Sequence, residues 1–223
     1  MDVKKLWVTP DPEYQIIRCA RICRNSEDKI DSFWSPAGLQ KTKTGGLTVN
    51  YPVMRVSLGS NDTALLKKML EHNHGAVLRF ASAAVNVSGI SRACSHQLVR
   101  IAHFGIMQRS QRHVSEEESC AIIPEELGDE FGKKLKDFHD SAKALYTEMV
   151  EAGVPKEQAR YALPCATQTE VNLVANFQAW CHFLDIRLSK TAQKEIRNVA
   201  TEILKLLYEE APIVFDRYKE HLE

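Results

Sequence analysis

Apolar residues along the 223-residue chain recur at two spacings, and the switches between them mark out the elements. Residues 3–8 read as a short strand that Pro10 interrupts. From Tyr14 to Cys23, Ile16, Ile17 and Ala20 fall on one side of a helix, with Arg18 and Arg21 as its solvated flank. Asn61 or Asp62 can cap a second helix whose inner face is Leu65, Leu66, Met69 and Leu70. His72 and His74 follow its end, where an imidazole can bond the last carbonyls. Gly75 opens the run from Ala76 to Val87, small and β-branched residues apolar on both faces, which predicts a central strand. Arg79 inside that run either reaches solvent at a strand end or contacts an anion.

The second half is more helical. Ile90, Cys94, Leu98 and Ile101 or Ala102 keep helical spacing, and Ser88 or Ser91 can cap their start. Past Pro124, a long helix carries Phe131, Leu135, Phe138, Ala142, Leu145 and Met149 at alternating steps of four and three, a seam for packing against another helix. Gly153 ends it, and Pro155 opens a short helix that holds Arg160 and stops at Pro164. Phe177 to Ile186 is helical with Trp180, Phe183 and Leu184 inward. Ser189 or Thr191 caps a last helix built on Ile196, Val199, Ala200, Ile203, Leu206 and Leu207 and closed by Pro212. Between Arg24 and Ser60 the chain is irregular, with Gly45-Gly46 as a loop tip and Leu47 to Pro52 able to pair as an edge strand. A long irregular segment of this kind suits a lid or a subunit contact.

Composition narrows the classes. The length suits one domain with a sizeable core. Lys plus Arg and Asp plus Glu both number 29, so no nucleic-acid partner follows from net charge. No apolar run reaches membrane-span length, and the amino terminus leads into no signal-peptide core, so a soluble cytoplasmic protein is expected. The six cysteines form no CxxC pair and the eight histidines no HExxH, so no metal site is expected and the thiols read as reduced. No Walker loop or GxGxxG is present.

The chemistry concentrates between Ser91 and His113. Gln97 and Arg100 are three apart and share a helical face; Gly105 lets that helix end; Ser110 and Arg112 sit two apart in an extended stretch and point the same way. Arg offers phosphate a planar fork of donors and Ser a short neutral one. Gln97 and Gln108 each carry a donor and an acceptor, as a uracil-like base edge requires. The stretch reads as a pocket for a mononucleotide or as a solvated basic helix end, and composition alone favours the second.

A family resemblance changes that balance. The flavin-dependent thymidylate synthases carry Arg-His-Arg, seven residues, then Ser, usually followed by x-Arg-Tyr. This chain has Arg100-Ile101-Ala102, seven residues, then Ser110-Gln111-Arg112-His113. His72-Asn73-His74, the stretch Val154 to Pro164 with Arg160, and Asn176 to Arg187 followed by Ala192-Gln193 resemble further family blocks in the same order, together covering most of residues 14–218. The resemblance implies an α/β (α+β) fold, a single domain over 1–223 with an insertion at 24–60, and a central, mainly antiparallel sheet flanked by long helices. It implies a homotetramer with shared active sites.

It also implies deoxyuridylate as substrate, methylenetetrahydrofolate as carbon donor, FAD as hydride carrier and NADPH as reductant. Gln97, Arg100, Gln108, Ser110, Arg112, Arg160 and Arg187 match nucleotide contacts; His74, Arg100, Asn176 and His182 match cofactor positions. Arg187 matches the activating residue. A guanidinium against N3 and O2 of uracil favours the N3-deprotonated ring, whose C5 is nucleophilic. No protein thiol attacks the ring, so no cysteine needs a catalytic post. The departures fall on flavin contacts: Ile101 and Ala102 replace His and Arg, and Arg79-Phe80 replaces a Glu-His pair. Three readings follow: a thymidylate synthase with a diverged flavin site, a flavin-free paralogue that hydroxymethylates a pyrimidine nucleotide, and a non-catalytic nucleotide-binding protein.

Overall fold

Thr169, Val171, Leu173 and Ala175 are buried while Glu170, Asn172 and Val174 between them are exposed, the period of two that a half-buried strand requires. That strand lies inside a four-stranded sheet in a computed structural model that describes residues 1–44 and 47–222. The strands are β1 (Asp2–Val8), β2 (Phe33–Thr44), β3 (Leu47–Ser57), β4 (Ser82–Ser91), β5 (Gly105–Gln108) and β6 (Gln168–Asn176). The helices are α1 (Pro12–Ile22), α2 (Ser60–Glu71), α3 (Arg92–Leu98), α4 (Gly128–Glu151), α5 (Lys156–Ala159), α6 (Phe177–Arg187), α7 (Lys194–Glu210) and α8 (Pro212–Phe215). The chain divides into two compact units: Met1–Leu6, Ala84–Ala175 and His182–Ile203 make the first, and Trp7–Ala83, Asn176–Cys181 and Leu204–Glu223 the second.

The first unit is organised on the sheet, ordered β1-β4-β6-β5. β4 buries Ala83, Val85 and Val87 on one face, while on the other Ala84 and Ile90 are buried and Asn86 and Ser88 only half-buried, and it begins at Ser82: residues 75–80 form a 3₁₀ turn. β5 pairs antiparallel with β6 from Gly105↔Val174 to Gln108↔Val171. The approach is close enough that a Cβ on Gly105 would lie 2.7 Å from Val174 Cγ1. In this unit, α7 buries Ile196, Val199, Ala200 and Ile203. On α4 the outcome differs from the sequence pattern. Gly132, His139 and Tyr146 turn inward, whereas Phe131, Phe138 and Leu145 of the seam are 61%, 60% and 50% exposed.

The second unit holds α1, α2 and the hairpin. β2 and β3 pair antiparallel from Phe33↔Ser57 to Thr44↔Leu47, with a register shift between Pro36 and Leu39, so the edge strand expected at 47–52 is present as part of a longer one. The Gly45-Gly46 tip lies outside the described residues. Two sequence expectations are corrected here. The α2 amides are capped from elsewhere in the chain: the Asp31 carboxylate accepts from the amides of Asn61 at 2.8 Å and Asp62 at 3.0 Å. Asp62 is fully buried instead and accepts from Arg21 Nε at 2.9 Å and Nη2 at 2.7 Å, the Ser32 hydroxyl at 2.6 Å, and the amides of Asp31 and Ser32 at 3.1 Å. Arg21 is therefore an internal residue, while Arg18 is solvated as expected. Trp180 is buried and its indole N–H donates to Ala83 O at 3.1 Å.

Candidate functional site

α3 is short and held at both ends. Ser91 caps it, its hydroxyl oxygen accepting from the Cys94 amide at 3.0 Å. Ser91 is fixed in turn by Glu195, whose carboxylate accepts from the Ser91 amide and hydroxyl at 2.7 Å each. The helix stops at Leu98, earlier than the apolar spacing implies, and the chain turns through His103 at a left-handed φ of 68°. Gly105 does not end the helix; it is already in β5, where its missing side chain admits Val174. Arg100 thus sits exposed in the turn and does not share a helical face with Gln97.

The early stop leaves the Gln97 carbonyl without a partner in its own helix. Arg187, the last residue of α6, fills the place: its Nη2 donates to Gln97 O at 2.7 Å. Its Nε is buried with no hydrogen-bond partner. Burial lowers the pKa of the Arg187 guanidinium, the Cys94 thiol opposes the shift, and nearby Arg100 adds to it. No carboxylate is bonded to Arg187 among the described contacts. The Gln97 side-chain amide donates to Gln193 Oε1. Cys94 is buried and its thiol is pushed up to about 12, first by burial and then by Glu195, which keeps it protonated and inert as a nucleophile.

Gln108 turns inward from β5, its amide donating to Ser95 Oγ at 2.8 Å and Thr169 Oγ1 at 3.2 Å. Ser110 and Arg112 lie in a turn, not in an extended stretch: the Ser110 hydroxyl accepts from the Arg112 amide at 3.3 Å, and its carbonyl from the Val114 amide at 2.9 Å. The Arg112 guanidinium meets Glu157 Oε2 at 2.9 Å, and Arg160 Nε donates to the Glu157 carbonyl at 3.1 Å, so Glu157 joins these two arginines. Buried Glu116 anchors the far side of the loop, its amide donating to the Tyr146 hydroxyl at 3.3 Å. Burial pushes the Glu116 carboxyl up; Arg109, Arg92 and Gln111 oppose it.

The predicted nucleotide residues therefore fall into two groups within the first unit: Gln97, Arg100 and Arg187 at the end of α3, with Gln108 tied to the same helix, and Ser110, Arg112 and Arg160 around Glu157. Of the cofactor positions, His182 is exposed on α6 and Asn176 caps that helix, accepting from the Ala179 amide at 3.0 Å. His74 is exposed and stacks on His72, with ring centroids 6.2 Å apart. His72 bonds the Lys68 carbonyl at 2.7 Å, the helix-end role its position suggests. Arg79 is exposed beyond the strand and donates to Gln178 Oε1 at 2.5 Å. Among the described residues, no group of His, Cys, Asp and Glu is placed to hold a metal ion. Sequence reading gave no role to Glu157, Gln193, Glu195, Glu116 or Arg92. Glu157 and Glu195 sit 45 and 104 residues from the side chains they hold, and Gln193 sits 96 from its partner, so no periodic signal could have linked them.

The chain is a mixed helix and sheet protein whose predicted nucleotide residues, arginines, glutamines and a serine, lie at two anchored turns. The particular family follows from comparison. The family model described as thymidylate synthase complementing protein matches residues 6–213, and the chain belongs to that family. The chain is 36% identical over 173 residues to a flavin-dependent thymidylate synthase of Mycobacterium avium, covering 70% of this chain and 69% of that one. It is 37% identical to that of Mycobacterium marinum and 35% identical to that of Mycobacterium tuberculosis, each over the same length and shares.

Proposed function

We propose that this protein alkylates C5 of a pyrimidine nucleoside monophosphate, converting deoxyuridylate to thymidylate. The observation that carries the reading is the state of Arg187. Its guanidinium is partly buried, bonded to a neutral carbonyl, and keeps a buried N–H without an acceptor. A cation so placed favours an anion arriving against it, and the N3-deprotonated uracil ring is such an anion. Charge delocalised from N3 and O2 then makes C5 the nucleophile. Gln97 and Gln108 are the residues for the base and sugar, each already oriented by amide hydrogen bonds. Ser110, Arg112 and Arg160 are the residues for the phosphate. The protonated Cys94 takes no part in the chemistry.

Methylenetetrahydrofolate would supply the carbon, and FAD reduced by NADPH the hydride. Toward a flavin, Arg100 and His182 present exposed polar groups, and His74 and Asn176 are the remaining positions the resemblance assigns. Ile101 is 9% exposed and Ala102 ends in a methyl, so the two donors that relatives place here are replaced by apolar groups. That observation favours a second reading, a flavin-free member that leaves a hydroxymethyl group on C5, a product that needs no hydride. We place the enzyme in a homotetramer with shared active sites, in accord with its two separate groups of nucleotide residues.

The test is turnover of deoxyuridylate with methylenetetrahydrofolate, NADPH and FAD, with the product identified by mass. Arg187→Ala should lower turnover by about 10²- to 10³-fold or more. Retained activity would remove Arg187 from the mechanism. The visible spectrum of the purified protein separates the two readings, since bound flavin favours thymidylate and a colourless, active protein favours the hydroxymethyl product.

A further inference from the structure

Near Arg160 lies a further guanidinium whose surroundings are incomplete. Arg92 is the first residue of α3, and its amide donates to Thr167 O at 3.0 Å, while the Ala93 amide donates to Cys165 O at 3.0 Å. The start of α3 is thereby docked on the turn that follows Arg160, where the Leu163 amide donates to Arg160 O at 3.1 Å and the Thr167 amide to Pro164 O at 3.0 Å. Opposite charges meet along most of this region. Arg109 and Arg92 flank the buried Glu116 carboxylate, and Arg112 pairs with Glu157. The alternation fails at one place. Burial disfavours the charge on Arg92 most, Glu116 opposes that shift, and the nearby Arg160 guanidinium adds to it. Arg92 Nη1 is buried with no hydrogen-bond partner, and so is the hydroxyl of Thr167, the residue that receives the Arg92 amide. A buried unpartnered donor beside a like charge is costly until an acceptor of opposite charge arrives.

We propose that Arg92 is a phosphate ligand of this site, acting with Arg160. The inference deepens the nucleotide reading given above and rests on it for the identity of the ligand, a phosphate monoester. Glu116 lies near Arg92 but does not saturate it, since Glu116 Oε2 is itself buried with no hydrogen-bond partner. It is 1% exposed, its amide is fixed by Tyr146, and it lies at the base of the loop that presents Ser110 and Arg112. The Arg92 fork, left open beside one anion, is then completed by another.

The experiment is calorimetric binding of deoxyuridine monophosphate, deoxyuridine and inorganic phosphate to the full chain and to Arg92→Ala and Arg92→Lys. Arg92→Ala should weaken the monophosphate and inorganic phosphate by about 10- to 100-fold and leave the nucleoside unchanged. Arg92→Lys should recover part of the loss, because it keeps the charge without the fork. Equal weakening of nucleotide and nucleoside, or phosphate binding that ignores both substitutions, overturns the assignment. If Arg92→Ala does not fold, the rise in unfolding temperature with added phosphate, compared between wild type and Arg92→Lys, decides it. A wild-type protein that binds phosphate through Arg92 but not the monophosphate overturns the nucleotide reading and leaves the anion site standing. One that binds the monophosphate indifferently to Arg92 does the reverse, and one that binds neither overturns both.

Discussion

Two arginines, one in each compact unit, meet burial in opposite ways. Arg21 is 7% exposed and fully answered: Asp62 accepts from it twice and spends its other oxygen on Ser32 and the Asp31 and Ser32 amides. Burial pushes the Asp62 carboxyl up, but the Ser32 hydroxyl, Arg21 and the Asp31 amide outweigh it and hold it below its ordinary 3.8. Arg187 receives one carbonyl oxygen and keeps a buried donor in reserve. A saturated pair welds α1, α2 and the 27–32 segment together. An unsaturated cation stores a preference for an anion that none of the described residues supplies. The lesson is that burial of an arginine says little until its acceptors are counted.

The largest effect should come from exchanging these roles. Arg187→Ala should lower turnover by about 10²- to 10³-fold or more and leave chemical denaturation close to wild type, whereas Asp62→Ala should cost about 3–5 kcal/mol of stability by stranding a buried guanidinium. A large loss of stability in Arg187→Ala would break the distinction. A smaller effect is expected at the exposed pair, where the side chains of Arg112 and Glu157 are 58% and 48% accessible. Arg112→Ala should change stability by less than about 1 kcal/mol, since exposed pairs are screened, yet raise KM for the nucleotide by roughly tenfold. Unchanged KM would return the pair to a surface role.

The most diagnostic effect concerns Glu13, the acidic counterpart of Arg187. It is held by amides alone, accepting from Ile213 at 2.6 Å and Val214 at 3.1 Å. Burial pushes its carboxyl from 4.5 up to about 7, against the pull of those amides. The folded state then binds more protons than the unfolded one between those values, so stability should fall as pH rises from 4.5 to 7. Asp62 acts with the opposite sign, its contribution being lost as pH falls below 3.8. Denaturation of Glu13→Gln across that window should be flatter than wild type; an identical slope would remove Glu13 as its source.

Much of the architecture was legible because it depends on local period. α1, α2, α6 and α7 lie where helical spacing put them, and Trp180, Phe183 and Leu184 are wholly buried as their pattern required. β6 has the clean alternation of Thr169, Val171, Leu173 and Ala175, but polar Gln168, Glu170 and Asn172 alternating with them leave a short pattern that the stronger helical periods on either side outweigh. The α4 seam failed for a deeper reason. Two adjacent stripes repeat every seven residues there, Phe131, Phe138, Leu145 and Gly132, His139, Tyr146, and hydrophobicity alone picks the first. The fold buries the second, which brings the Tyr146 hydroxyl to the Glu116 amide.

The sequence by itself determined the residue types of the candidate site and their order along the chain, and the Arg100 to Ser110 spacing together with three further blocks in the right order grouped them with a family. Tertiary structure decided their states. Where α3 stops, which carbonyl Arg187 reaches, that Glu157 draws Arg112 and Arg160 together, and that Arg92 is left beside Arg160 are all contacts between distant segments. Hydrogen bonds and charge pairs of that kind leave no period in a sequence, because their partners are set by the path of the chain and not by the residues beside them.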